Sequence, residues 1–339
     1  MDGGLSRNLS NTGSVQGGIL VFFNRRSNAI SALLPHKVRR DVGAMAFALI
    51  AICCAGTLMA TVAHAAEPPP FAKPLYIRAD AGFMSDDNVA RAKDSANKLS
   101  DRSYSANLSK PLTFPLTVHT RARVTALVGT ERFINYKGLS RAIGGVTGEY
   151  QYRSSSEFSA PILSLFARIF GEQYESRLRD GWHYSAGVSI LQPVTDRIQL
   201  FGALSHNQRR ATSEVFDTID NSARANLDYV VTRRSTLYLG ADYHRGDVVS
   251  AGQPSLQLFD IAKVFAQDDA FPGGQLYCYR FDGTSLLTTL GYNIGFGISQ
   301  AIDISWRRIK SRSDFVPAYA TSETSYVANQ YSIVYLVNF

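Results

Sequence analysis

His183-Tyr184-Ser185 puts an imidazole and a hydroxyl two residues apart, a spacing that shares one face of an extended strand. A serine nucleophile needs a base within hydrogen-bond reach and a third polar group to orient that base. The flanking Trp182, Tyr184 and Ala186 form the apolar face of this segment. His183 and Ser185 are therefore expected on the polar face. No Asn or Asp stands nearby in sequence to orient the ring, so a polar lining is the expected role. The chain has no glycine loop for phosphates, no zinc-ligand spacing and no carboxylate pair suited to acid–base work. Asp86-Asp87 and Asp268-Asp269 fall in predicted loops; they could hold a divalent cation, but solvation is expected. Cys53 and Cys54 lie in one apolar run, which leaves Cys278 alone. Neither an intrachain disulfide nor a cysteine metal cluster is expected. No cofactor or metal is implied, and an enzyme is not the leading expectation.

The second chemistry-bearing set is basic. His119, Arg121 and Arg123 recur at every second position, and Arg78, Arg153, Arg168, Arg224 and Arg307 fall on the polar faces of other segments. Arginines along a water-filled pore favour anions. Asp80, Glu149, Asp228, Asp242 and Asp303 share those faces, enough to pair with the cations, so a selective lining and a salt-bridged filling both stay open. The candidate pore-lining residues are His119, Arg121, Arg123, Arg153, Arg168, Arg224, Asp228, Asp242 and Arg307.

What must position them is a set of strands. From Leu75 onward the dominant period is two, which sends alternate side chains to opposite faces. Leu116, Val118, Thr120, Ala122, Val124, Ala126 and Val128 share one face. Ala223, Ala225, Leu227 and Tyr229 alternate with Arg224, Asn226 and Asp228, and Leu237, Leu239, Ala241 and Tyr243 alternate with Tyr238, Asp242 and His244. Segments of about 9–11 residues with charge on one face and apolar residues on the other match strands that cross a bilayer at a tilt. Twelve strands are predicted, at 75–84, 102–110, 116–128, 143–153, 160–170, 182–192, 197–207, 222–231, 236–245, 284–293, 300–308 and 326–339. Ten and fourteen remain alternatives, because 160–170 is weakly patterned and 246–276 could hide two more. Connections after even strands are brief, the first at Pro111 to Phe114; those after odd strands are longer. The fold class is all-β, an antiparallel up-and-down transmembrane β-barrel over 75–339.

The longest connection, 246–276, carries Leu256, Leu258, Phe259, Ile261, Val264 and Phe265, too apolar to stand free in water. It is expected to fold back against the barrel mouth and restrict it. Ser255, after Pro254, is placed to cap a short helix with Leu258, Ile261, Ala262 and Phe265 on one face. Asp260, Asp268 and Asp269 would then meet arginines at the mouth. The competing reading makes this segment two further wall strands.

The chain ends YVANQYSIVYLVNF. Counting back by twos, Phe339, Val337, Tyr335, Ile333 and Tyr331 share one face. This terminal strand resembles the C-terminal β-signal of Gram-negative outer-membrane β-barrel proteins, porin-like ones included, with no specific family assigned. The resemblance implies recognition by the barrel-assembly machinery and a location in the cell outer membrane. His183-x-Ser185 also resembles the catalytic pair of outer-membrane phospholipase A, whose two side chains face lipid; the alternation here turns the pair inward.

The front of the chain reads as an address. Met45 to Ala66 is apolar, Lys37, Arg39 and Arg40 precede it, Ala63-His64-Ala65 offers small residues for cleavage, and Glu67-Pro68-Pro69-Pro70 follows. This order is that of a secretory signal; a retained membrane anchor is the alternative. A lipoprotein fails because Ile52 and Cys53 stand where a small residue is required. Residues 1–44 are expected to be a disordered or over-extended leader, 45–65 the signal segment and 66–74 a short periplasmic stretch. Residues 1–66 hold six Lys/Arg against two Asp/Glu, so the formal charge of +7 falls to +3 over the remainder. A nucleic-acid partner is not implied. A helical membrane bundle is excluded, since it needs several runs of about 20 apolar residues.

Twelve strands enclose a lumen between the filled interior of eight and the open channel of sixteen. The leading function is a narrow porin-like channel for small hydrophilic solutes, leaning towards anions, with outer-membrane lipid and lipopolysaccharide as surroundings. The alternatives are an outer-membrane lipid hydrolase and a structural or adhesion barrel acting through its outer loops. Deleting Phe339, or making it charged, should impair assembly rather than any activity of the assembled protein. Normal membrane levels and heat-modifiable migration of that variant would overturn the β-signal assignment.

Overall fold

The computed structural model describes residues 77–339 apart from 156, 272, 297 and 298. The leader at 1–44, the signal segment at 45–65 and the stretch 66–74 lie outside the described residues. Thirteen strands are present. In chain order they are β1 (Arg78–Asp86), β2 (Asp101–Pro115), β3 (Thr120–Phe133), β4 (Arg141–Arg153), β5 (Ile162–Tyr174) and β6 (Gly181–Pro193). There follow β7 (Ile198–Ala211), β8 (Thr218–Thr232), β9 (Ser235–Gly252), the short β10 (Val264–Gln267), β11 (Tyr277–Phe296), β12 (Gln300–Ser313) and β13 (Ser325–Asn338). A short α-helix, α1 (Leu256–Ile261), precedes β10.

Twelve of these strands form a closed antiparallel barrel. Each pairs with its neighbour in sequence, except that β9 pairs directly with β11 and leaves β10 outside the ring. The ring closes where β13 pairs with β1, from Arg78 opposite Asn338 to Asp86 opposite Gln330. Reciprocal backbone hydrogen bonds between Ile77 and Phe339 extend this seam. Every predicted strand overlaps a wall strand, and the count of twelve stands. Neither ten nor fourteen does, because β10 pairs only along the end of β11.

Two boundaries moved for identifiable reasons. Pro111 to Phe114 is strand rather than turn. β1 begins opposite Ser109, so β2 beyond that point has lost one neighbour, and an unpaired edge tolerates proline. The turn falls instead at 116–119, where Thr117 Oγ1 accepts from the backbone N–H groups of His119 and Thr120. Several strands also run past the predicted length at one end only. β5, β7 and β9 continue to residues 174, 211 and 252, β8 starts at 218 and β11 at 277. All these extensions lie at the end carrying the longer connections, called the loop end below. The other end, with brief turns and both ends of the barrel chain, is the turn end.

The wall has two chemically distinct faces. Leu108, Val128, Leu165, Val188, Leu204, Leu239, Ile304 and Ile333 are all exposed and point outward. A contiguous apolar girdle of this extent is not found on monomeric soluble proteins; it fits lipid. No helix of the described residues is long and apolar enough to cross a membrane. Inside, side chains are mainly polar or aromatic, with the aliphatic Met84, Leu287, Ile309 and Leu336 buried among them. The ring of Tyr238 lies over Gly291, where an added Cβ would come within 2.2 Å of it, so glycine is needed there for the close approach.

Arg123 and Val124 test the face assignment on adjacent residues of β3. Val124→Arg should destabilise the barrel by ~2–4 kcal/mol if it lies near the membrane midplane, whereas Arg123→Glu should assemble normally. Equal assembly yields for both variants, measured by heat-modifiable migration and urea titration in lipid vesicles, would refute the inside–outside assignment.

Candidate functional site: a two-part barrel interior

Inward-facing side chains differ between the two halves. Towards the loop end they are buried: Ser103, Glu131, Glu172, His183, Asp220 and His244 each expose less than a tenth of their surface. Towards the turn end they are reached by solvent. Arg123 is exposed, and Asp80, Asn107, Arg121, Asn226 and Asp228 are half-buried. The interior is thus solvated from the turn end and packed at the loop end.

The packed half is an ionic network. Glu172 accepts from Arg141 at 2.6 Å, from His183 Nε2 at 2.9 Å and lies 3.3 Å from Arg209. Arg141 also reaches Glu131 at 3.2 Å, and Ser103 donates to Glu131 at 2.9 Å. On the other side Asp220 contacts His244 at 2.9 Å and accepts from Asn207. A buried carboxylate is tolerable only when its lone pairs are filled, and Glu172 meets that condition with three cationic partners. Arginines and aromatics alternate above it: Arg141 and Arg209 both face the Tyr174 ring, and Arg209 and Arg179 both face Phe216, the last at 4.2 Å.

His183 and Ser185 both point inward, as their alternation requires, but they are separately engaged. His183 is turned to Glu172, and Ser185 donates to Asn207 Oδ1 at 2.8 Å. The orienting carboxylate absent from the local sequence is supplied across the strand pair by Glu172. The pair is enclosed in the ionic network and faces away from lipid.

The mouth itself is filled. β9 and β11 continue as a hairpin beyond the ring, and one face of that hairpin packs Val248, Tyr279 and Phe281 on Ile309, Tyr326 and Ala328 with Leu258 and Ile261 of α1. The other face packs Ala251 and Cys278 on Ala90, Leu139, Val215, Phe216, Ala270 and Phe271 from four connections. Ser255 caps α1 through its side chain, accepting from the Leu258 N–H at 3.3 Å. Leu258 and Ile261 are buried as expected, whereas Phe265 is exposed. Asp268 and Asp86 correct the expectation of solvated loop acids. Both are buried, Asp268 paired with Arg179 and Asp86 with Arg91, because the loops close over them. Burial pulls the Arg179 pKa down, but the charge of Asp268 outweighs it and leaves the guanidinium above its ordinary value. Asp269 takes a hydrogen bond from Ser176, and Asp260 one from Tyr319.

The named basic candidates sit mainly in the solvated half. Arg168, Arg224 and Arg307 come from β5, β8 and β12, well separated around the ring, and each lies on the inward face of its strand. Arg224 pairs with Asp242, Arg168 lies 4.6 Å over the Phe166 ring, and Arg307 donates to Thr289 at 3.3 Å. Arg121 donates to Gln151 at 2.5 Å, and Gln151 to Glu149 at 2.8 Å. Asp80 and Asp303 accept from the neutral donors Asn107 and Tyr238. Arg123 and Arg168 have no ion-pair partner among the described residues, and Asp228 faces inward on β8. Two candidates differ from expectation. His119 lies in the 116–119 turn, exposed, rather than on a strand. Arg153, at the last residue of β4, donates to the carbonyls of Glu157 and Phe158 and so fastens a turn. Among the described residues no group of three or more His, Cys, Asp or Glu is placed to hold a metal ion.

No family model and no curated protein matches the chain. Solved structures similar to it include an outer membrane channel from Pseudomonas putida F1, at 12% identity over 81% of this chain and 100% of that one, with a TM-score of 0.49. The NanC porin follows at 9% identity over 78% and 100%, TM-score 0.41. The KdgM porin, solved in complex with disordered oligogalacturonate, has 9% identity over 77% and 99%, TM-score 0.38. These neighbours are outer-membrane β-barrel channels and porins. At such identities the likeness is one of architecture alone, and no specific family is assigned.

Proposed function

We propose that the protein is an outer-membrane β-barrel acting as a narrow, porin-like channel for small hydrophilic solutes, leaning towards anions, with its outer mouth held shut by the 253–276 segment. The observation that carries this reading is a lumen solvated from the turn end and lined by the inward arginines Arg121, Arg123, Arg168, Arg224 and Arg307. Positive charge fixed at a constriction lowers the barrier for anions and raises it for cations. Asp242 pairs with Arg224; Asp80 and Asp303, nearer the turn end, take the neutral donors Asn107 and Tyr238. Outer-membrane placement draws support from the apolar girdle, the alternation of short turns with long loops, and the terminal strand. Phe339, Tyr335, Ile333 and Tyr331 all present exposed side chains on one face, as an assembly signal read by the barrel-assembly machinery would need.

The packed mouth favours a second reading, a barrel that acts through its outer loops without conducting. The lipid hydrolase gains nothing, since Ser185 and His183 are separately engaged and turned from lipid.

One pair of measurements separates channel from platform. Residues 253–276 would be replaced by a short Gly-Ser linker between Gly252 and Tyr277, which already pair directly. The channel reading expects a stable, heat-modifiable barrel with several-fold higher single-channel conductance than the parent. In that background Arg168→Glu with Arg307→Glu should move the reversal potential in a salt gradient towards cations. A folded barrel that stays silent in planar bilayers would overturn the channel in favour of the platform, and an unchanged reversal potential would overturn the anion lean.

A further inference from the structure

The outward face of β12 changes character in order. From the loop end inward its outward side chains are Arg312, Lys310, Arg308, Trp306 and Ile304. Successive members lie about 7 Å apart, two strand residues each, so three cations stand directly over an aromatic and an aliphatic residue. Arg245 of β9 joins them, because Arg245 and Arg312 both pair with Thr284 of β11. Arg312 Nε donates to Thr284 Oγ1 at 3.2 Å, which fixes one of the guanidinium groups.

These cations lack acidic partners. Two other outward arginines of this end are neutralised, Arg132 by Glu175 and Arg210 by Asp217, while Arg102 of β2 stands exposed as a single cation. Arg245, Arg308, Lys310 and Arg312 have no ion pair among the described residues. Three carboxylates of this end are engaged elsewhere: Asp247 and Asp282 both hold Lys263, at 2.8 and 2.7 Å, and Asp87 accepts twice from Asn329 at 2.7 Å.

Directly below the cations the wall is concave. A groove of about 440 Å³ runs across β9, β11, β12, β13 and β1, lined mainly by Phe83, Leu237, Leu290, Ile304, Trp306 and Ile333. Its volume is of the size that holds a discrete ligand. A cavity open to the membrane, topped by unpaired Arg and Lys, is complementary to one kind of molecule: an acyl chain ending in phosphate. Arginine is well suited to phosphate oxygens, and lysine adds point charge.

We propose that this groove and the basic cluster above it form a specific site for one phosphorylated glycolipid of the loop-end leaflet, of the lipid A type, with an acyl chain against Trp306 and Ile304 and a phosphate on Arg308, Lys310 and Arg312. The choice of glycolipid rests on the outer-membrane placement above; the phosphate-and-acyl chemistry rests on the residues themselves, and conduction plays no part in it.

The test uses the folded barrel purified in detergent, stripped of lipid and titrated with lipid A, dephosphorylated lipid A and phosphatidylglycerol. Bound lipid is counted by native mass spectrometry, and Trp306 fluorescence is followed in a Trp182→Phe background, since the chain has two tryptophans. One lipid A should bind per barrel with a change in Trp306 emission. Arg308→Gln/Lys310→Gln/Arg312→Gln should weaken binding by roughly tenfold or more, while Arg132→Gln/Arg210→Gln leaves it unchanged. If the triple variant fails to assemble, Lys310→Gln alone, at an exposed position, carries the same comparison. Equal binding of the dephosphorylated lipid, or unchanged affinity in the β12 variant, would overturn the site. Phosphatidylglycerol binding as tightly as lipid A would overturn the glycolipid assignment. Each result is independent of whether the barrel conducts.

Discussion

Everything in this structure follows from the cost of an unpaired backbone amide in hydrocarbon. Lipid offers no hydrogen bonds, so a β-wall that crosses it must have no edge. The seam between β13 and β1 meets that demand with nine paired positions and is prolonged by Ile77 and Phe339. Closure then fixes the rest. Once the ring exists, the two-residue period divides every strand into a lipid face and a lumen face, and a slip of one residue at any pairing would put arginines into lipid. The terminal strand is therefore both the last piece of wall and the piece on which all other registers depend.

The interior charge follows a gradient of water. At the turn end Arg123 and its neighbours keep solvent, and their carboxylates need no more than amide or phenol partners. At the loop end solvent is excluded, and isolated charge there would be costly. The chain responds by concentrating opposite charges: Glu172 is met by Arg141, His183 and Arg209, and Asp86 by Arg91. A selective lining and a salt-bridged filling, which compete when only residue types are considered, are thus both present in different halves of one barrel.

Much of this was legible in the residues. Period two, the alternation of brief and long connections and the apolar girdle yield twelve strands, and Ser255 marks the start of α1. The ionic network was not legible, for two physical reasons. Its members meet across strands, and which residues of β5 and β6 lie opposite each other is a matter of register, not of local sequence. They also occupy strand extensions above the length a bilayer requires. Arg141, Glu172, Arg209 and Asp220 all fall just beyond the boundaries that a membrane-crossing argument sets. His119 failed for a related reason. Its alternation with Arg121 and Arg123 is real, but Thr117 bends the chain before the strand begins.

The plug at the mouth solves an edge problem as well as filling space. β12 stops at Ser313 opposite Gly283, so the first residues of β11, Tyr277 to Arg280, have no β12 partner. An exposed edge of that length invites pairing with another chain. β10 occupies it residue for residue, from Val264 opposite Arg280 to Gln267 opposite Tyr277. The segment is then tied down again on its far side, where Asp268 meets Arg179, Ala270 and Phe271 enter the apolar cluster, and Gly138 approaches Ala270 so closely that a Cβ would lie 2.5 Å from its Cα. Held by a strand ladder on one flank and by loops from around the ring on the other, it has no hinge-like side about which to swing. Its removal from the mouth would expose two apolar clusters and a buried ion pair together, so the closed mouth is a property of the folded barrel rather than a loop lying loosely over it.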